Sequence, residues 1–209
     1  MEPLEIEVKF YLTNMNSVRD TIMELGAVCK GRVFESNIIF EDVNGSLMRQ
    51  GFLLRLRKDR TAKLTFKSET PETDNQFKIR RELEVEVSDF STMLAILESL
   101  GFHKAQIYEK WRETFVLSQG IHFCLDTMPY GDFLEIEGGK EDIRKMADQL
   151  GLNWKKRILA SYLGIFGFIR RQSDMSFSDL TFDHFKESRF KESRPDFEEY
   201  IRIFEAGTL

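Results

Sequence analysis

"EIEVKF", residues 5 to 10, carries two chemistries on one short segment. Side chains alternate across a strand, so Glu5, Glu7 and Lys9 share one face and Ile6, Val8 and Phe10 the other. Taken alone, the alternation fits an antiparallel sheet wetted on one side. The pattern recurs along the chain, though. In "LLRLRK" (53–58) Arg55 and Arg57 oppose Leu54 and Leu56, and in "AKLTFKSE" (62–69) Lys63, Thr65 and Lys67 oppose Leu64 and Phe66. In "RELEVEV" (81–87) Glu82, Glu84 and Glu86 oppose Leu83, Val85 and Val87. In "EKWRETF" (109–115) Lys110 and Arg112 lie opposite Trp111 and Glu113, and in "FLEIEG" (133–138) Glu135 and Glu137 flank Ile136.

A merely solvated face would mix in Ser, Thr and Gln and scatter its charges. Here each segment carries charges of mainly one sign at strict two-residue spacing. If those faces converge inside a closed barrel and the apolar faces turn outward under helices, the lumen gains a carboxylate-lined region and a cation-lined region. Ionised groups are costly to bury unless paired, hydrated or metal-bound, so such a lumen implies water and a charged occupant. Cations suit the oxygens of a phosphate chain, and clustered Glu side chains suit a hard divalent ion such as magnesium. Together they describe a site for a metal–phosphate complex.

The order of elements supports closure. "NMNSVRDTIMELGA" reads as a helix with Val18, Ile22 and Leu25 on one face, ending at Gly26. Strand-like "RVFESNIIF", "GFLLRLRK" and "AKLTFKSE" follow, and the breaker-rich "TPETDNQF" is a loop. The order then begins again: strand "RRELEVEVS", helix "DFSTMLAILESLGF" ending at Gly101, and strands "IYEKWRETFVL", "IHFCLDTM" and "FLEIEG". A third helix, "KEDIRKMADQLGL", also ends in Leu-Gly, at Gly151. Two passes of strand, helix and three strands give about eight strands, enough to close a barrel. The expected class is therefore α+β: a closed antiparallel eight-stranded β-barrel with a charged lumen and helices packed outside.

Composition narrows the function. A chain of 209 residues, 42% hydrophobic, can bury a real core. Its net charge of −5, from 30 basic and 35 acidic residues, excludes a general nucleic-acid or membrane binder. Cys29 and Cys124 lie far apart without metal-ligand spacing, which fits a reducing compartment. The apolar run Ile158–Ile169 is too short to span a bilayer, and no secretory signal is read at the start, so a cytoplasmic location is expected. His103, His122 and His184 are isolated, although His122 shares the parity of Cys124 and Asp126.

These residues resemble the ExExK signature and the later motifs of the CYTH superfamily, the triphosphate tunnel metalloenzymes, which include class IV adenylyl cyclases and thiamine and inorganic triphosphatases. "EIEVKF", "LRLRK", "LTFK", "RRELEVEV", "EKWRETF", "LDTMPYGDFLEIEG" and "SYLGIF" fit in order over about residues 1–168. The resemblance implies that Glu5, Glu7, Glu82, Glu84, Glu135 and Glu137 bind metal, either magnesium or manganese. It implies that Lys9, Arg55, Arg57, Lys63, Lys67, Lys110 and Arg112 hold a triphosphate-containing small molecule. Lys9, Arg57, Lys110 and Asp126 would be catalytic, with Asp126 orienting a base or a water. Glu86 is read as a rim residue and Glu113 as facing away.

The implied reaction is metal-dependent hydrolysis of inorganic tripolyphosphate or of a nucleoside or thiamine triphosphate. The alternatives are an adenylyl cyclase making cyclic AMP and pyrophosphate from ATP, and a non-catalytic triphosphate-binding module. The domain spans residues 1–171, and residues 172–209 form a C-terminal helical extension with a helix beginning near Pro195 and an apolar stripe of Phe197, Ile201 and Phe204. The extension is expected to pack on the barrel or its mouth, or else to form a homodimer contact or a lid.

Overall fold

The computed structural model describes residues 4–71, 74–173, 175–187 and 197–205, with Gln119 described in its backbone alone. In chain order the elements are β1 (Leu4–Leu12), α1 (Met15–Glu24), β2 (Val28–Asp42), α2 (Ser46–Arg49), β3 (Leu53–Lys58), β4 (Ala62–Glu69) and β5 (Lys78–Val87). Then come α3 (Phe90–Ser99), β6 (Phe102–Leu117), β7 (Ile121–Met128), β8 (Gly131–Glu137), α4 (Lys140–Gln149), α5 (Tyr162–Gln172), α6 (Phe182–Glu187) and α7 (Phe197–Arg202). Local signals explain the helix limits. Asn14, Asp89 and Ser161 accept N-terminal amide hydrogen bonds from Ser17, Thr92 and Gly164. The three Leu-Gly ends place Gly26, Gly101 and Gly151 at φ of +84°, +91° and +67°, which a side chain would disfavour.

The eight strands close an antiparallel barrel in the order β1-β5-β4-β3-β2-β6-β7-β8. β1 is the seam. Its Glu7 stands opposite Lys78 of β5 on one side and Glu137 of β8 on the other, and Lys9 stands opposite Glu135. Strand parity then fixes everything else, because a slip of one residue would exchange the charged and apolar faces.

The apolar residues pack outside the sheet. Val8, Phe10, Phe115, Phe123, Leu125, Leu134 and Ile136 are buried beneath Ile22 of α1 and Ile143, Met146 and Ala147 of α4. Each such side chain contributes about 1.5–3 kcal/mol by leaving water. Ile38, Phe40 and Leu56 pack with Leu97 of α3. One expectation fails here: Leu83 and Val85 on β5 are 43% and 57% exposed, and neither belongs to a buried cluster of the described residues.

The C-terminal segments are part of the barrel's packing. β7 pairs only with Trp111–Leu117 of β6 and leaves the earlier half of that edge open. Leu180 occupies it, donating its amide to Ile107 O at 2.8 Å and accepting the Glu109 amide at 2.9 Å. Met175, Leu180 and Ile201 share a buried cluster with Tyr108, Tyr130, Phe133, Tyr162 and Phe166, and Phe197 and Phe204 pack against it. The expected helix start at Pro195 lies outside the described residues; α7 itself begins at Phe197.

Candidate active site

The barrel encloses a cavity of about 470 Å³, and its lining is sorted by strand. Because β8, β1 and β5 are neighbours, their Glu side chains form one acidic arc: Glu135, Glu137, Glu5, Glu7, Glu82 and Glu84. Across from it β4, β3 and β6 present Lys63, Lys67, Arg55, Arg57, Lys110 and Arg112. Glu86, by contrast, does not line the cavity, and Glu113 faces α1, where Arg19 donates to it at 3.0 and 3.1 Å.

Within the barrel the two arcs reach toward each other. Lys67 pairs with Glu5 and, at 3.1 Å, with Glu82; Lys63 donates to Glu84 at 2.8 Å. Arg57 approaches Glu84 at 3.4 Å, and Thr65 donates its hydroxyl to the same carboxylate at 2.9 Å. Lys9 and Arg112 both bond Glu135. Arg55 donates to the Tyr108 hydroxyl at 3.1 Å and to Thr65 Oγ1 at 3.2 Å. Burial acts against the charge on Glu135, yet Lys9, Arg112 and Lys110 outweigh it and hold the carboxyl well below the usual range.

One acidic group is left undercompensated. Carboxylate oxygens of Glu5, Glu7 and Glu137 lie within 4.8 Å of one another. Burial, reinforced by Glu7, Glu135 and Glu5 against the pull of Arg112, pushes Glu137 up to about 7. Burial and the nearby Glu7 likewise raise Glu5. Glu7 stays low because Lys78, 2.5 Å away, together with Lys9 and Lys67 overcomes its burial. Three hard oxygen donors crowded together, two of them reluctant to ionise, suit a divalent cation that would relieve their repulsion.

Asp126 stands behind the cavity wall. It is fully buried and does not line the cavity. Its two oxygens accept from Lys110 at 2.9 Å, from Arg112 at 2.7 and 2.6 Å, and from the Tyr162 hydroxyl at 2.8 Å. A carboxylate engaged in this way, with three of its four bonds on Oδ2, orients the two cations. Behind the cations, the Tyr162 ring lies 4.0 Å from Lys9 Nζ and 5.3 Å from Lys110 Nζ, so α5 backs this end of the site.

Among the cavity residues that escaped the reading of the sequence are Glu35, Lys78, Tyr108 and Tyr162. Glu35 and Tyr108 sit on inward parity within strands already recognised, so extending the two-residue count along "RVFESNIIF" and back from Lys110 finds them. Tyr162 comes from a helix, where strand parity gives no signal.

The site defines a class, a closed barrel whose lumen sets a carboxylate arc against a cation arc. The CYTH domain family matches residues 3–159, and the chain belongs to that family. A Methanocaldococcus jannaschii protein, provisionally named an adenylate cyclase, is 28% identical over 144 residues, covering 68% of this chain and 81% of the relative. A Vibrio parahaemolyticus structure, also provisionally named an adenylate cyclase, has a TM-score of 0.70 at 20% identity, covering 80% of this chain and 99% of that one. A Hippeastrum protein described as having a dominant triphosphatase activity gives 0.57 at 18% identity, covering 78% and 95%. At those identities the two structures establish the shared fold. Among the described residues no helix is long and apolar enough to cross a membrane.

Proposed function

We propose that the barrel is a divalent-metal-dependent triphosphatase. The observation that carries this reading is the crowding of Glu5, Glu7 and Glu137, opposite a cationic arc, in one cavity. A plain anion-binding module gains nothing from a carboxylate cluster, whereas a site that must neutralise a phosphate chain and admit an attacking water does. A magnesium or manganese ion held by Glu5, Glu7 and Glu137, with Glu82 beside them, would neutralise phosphate oxygens and favour attack by water. Glu84 and Glu135, engaged by Lys63 and by Lys9 and Arg112, would exchange those partners when a phosphate chain arrives.

The chain's own residues supply the rest. Arg55, Arg57, Lys63 and Lys67 would grip the phosphates and hold them in line, replacing the carboxylates that now occupy them. Lys9, Lys110 and Arg112 would stabilise charge developing as the terminal phosphorus is attacked and the bridging oxygen departs with the diphosphate. Asp126 serves this step by position, fixing Lys110 and Arg112 before substrate arrives. Burial around Lys9 and Lys110 keeps bulk water from screening them.

A second reading is favoured by the name of the Methanocaldococcus jannaschii relative: ATP cyclisation, in which the ribose 3′-hydroxyl attacks the alpha phosphorus and pyrophosphate leaves. One assay decides between them. Purified protein is incubated with tripolyphosphate, thiamine triphosphate or ATP, plus magnesium or manganese, and the products are identified. Orthophosphate supports hydrolysis and cyclic AMP supports cyclisation. Binding with no product under either metal removes both.

A further inference from the structure

Glu35 breaks the sorting of charges. It belongs to β2, inside the cationic arc between β3 and β6, and its carboxylate lines the cavity although it is only 2% exposed. Burial disfavours its charge, but Lys110, Arg112, Arg57 and Arg55 prevail and hold it at about 2. It is therefore an ionised acceptor that cannot donate.

Its neighbours do not consume it. Lys110 Nζ is 3.6 Å from Oε2 and Arg57 Nη1 is 3.7 Å from Oε1, both beyond hydrogen-bond distance. Lys110 donates instead to Asp126 at 2.9 Å, and Arg57 lies nearer to Glu84 and Asp59, at 3.4 Å each. Glu35 Oε2 has no hydrogen-bond partner among the described residues. Two residues along the same inward parity, Asn37 is fully buried with neither amide atom partnered, behind the cavity lining.

A carboxylate at this place repels phosphate oxygens, so a site for bare polyphosphate is weakened by it. The ligand atom that meets an ionised acceptor must carry O–H or N–H. A magnesium-bound tripolyphosphate chain near neutral pH offers almost none. A sugar hydroxyl or an amino group does. We propose that Glu35 receives the hydrogen-bond donor of the organic part of a triphosphate ester, and so makes organic triphosphates the substrate class in preference to inorganic tripolyphosphate. The inference rests on the triphosphatase reading and narrows it.

The test compares kcat/KM for ATP, thiamine triphosphate and tripolyphosphate, with magnesium, in the wild-type protein and in Glu35→Gln. Loss of one charge-assisted hydrogen bond should lower the ratio of organic to inorganic turnover at least about tenfold in the variant, and the ester that suffers identifies the donor. An unchanged ratio overturns the inference, because a carboxylate that only arranges Lys110 and Arg57 would affect all three substrates alike. If the variant does not fold, the wild type alone decides: one of the esters should be preferred over tripolyphosphate by about tenfold or more. Turnover of tripolyphosphate without either ester overturns the role of Glu35 and leaves the triphosphatase standing. Turnover of none of the three removes the triphosphatase itself.

Discussion

Proton and metal compete for the same oxygens at Glu137, and the competition can be read in solution. Burial and the neighbouring Glu7, Glu135 and Glu5 lift this carboxyl to about 7, so in the metal-free barrel it is largely protonated at mildly acidic pH. A cation must displace that proton. Each pH unit below the pKa then costs about a factor of ten in affinity, so from about pH 8.5 to about pH 5.5 manganese binding should weaken roughly thirtyfold through Glu137 alone.

Titration calorimetry in buffers of different protonation enthalpy should show close to one proton released per ion at the acid end, and Glu137→Gln should flatten both dependences. The stability of the metal-free protein carries the same signature. A raised folded-state pKa contributes stability that is fully present below the ordinary carboxylate range and is lost as pH rises through about 7. That loss should amount to at most about 3 kcal/mol and be absent in Glu137→Gln. Manganese affinity that stays constant over the range, or a dependence that survives the substitution, would refute the reasoning.

Two further substitutions separate the parts of the site. Asp126→Asn takes the charge from a fully buried carboxylate that holds Lys110, Arg112 and Tyr162; it should cost about 3–5 kcal/mol in chemical denaturation and lower kcat, since the cations lose their anchor. A variant as stable as the wild type would deny Asp126 its positioning role. Arg57→Ala should raise KM about tenfold with kcat changed by less than about threefold, and steady-state kinetics showing the reverse would move Arg57 from binding to chemistry.

The charge alternation carried most of the fold, because in a barrel two-residue parity decides which side chains point inward. Strands β4 and β7 run over the residues read as "AKLTFKSE" and "IHFCLDTM". β2 and β6 extend further than they read, since "VCKG" and "FHKAQ" alternate poorly; Gly31 there marks an irregularity in register between the two strands. Lys78 was hidden for a similar reason: in "KIRRE" the adjacent Arg80 and Arg81 interrupt the rhythm before the Glu series begins. The bonding of Asp126 to Lys110, Arg112 and Tyr162 was beyond reach of any one-dimensional pattern, as it depends on β7 lying beside β6 and on α5 folding back over both. The exposure of Leu83 and Val85 likewise depends on where helices fall, which strand parity does not encode.

The account depends on a cation and a phosphate chain meeting inside the barrel. Anomalous diffraction from crystals grown with manganese and tripolyphosphate tests this most directly. A manganese peak within ligand distance of Glu5, Glu7 and Glu137, touching phosphate density that reaches toward Arg57 and Lys110, is the predicted result. Manganese bound elsewhere on the protein, with the cavity filled by water alone, would contradict it.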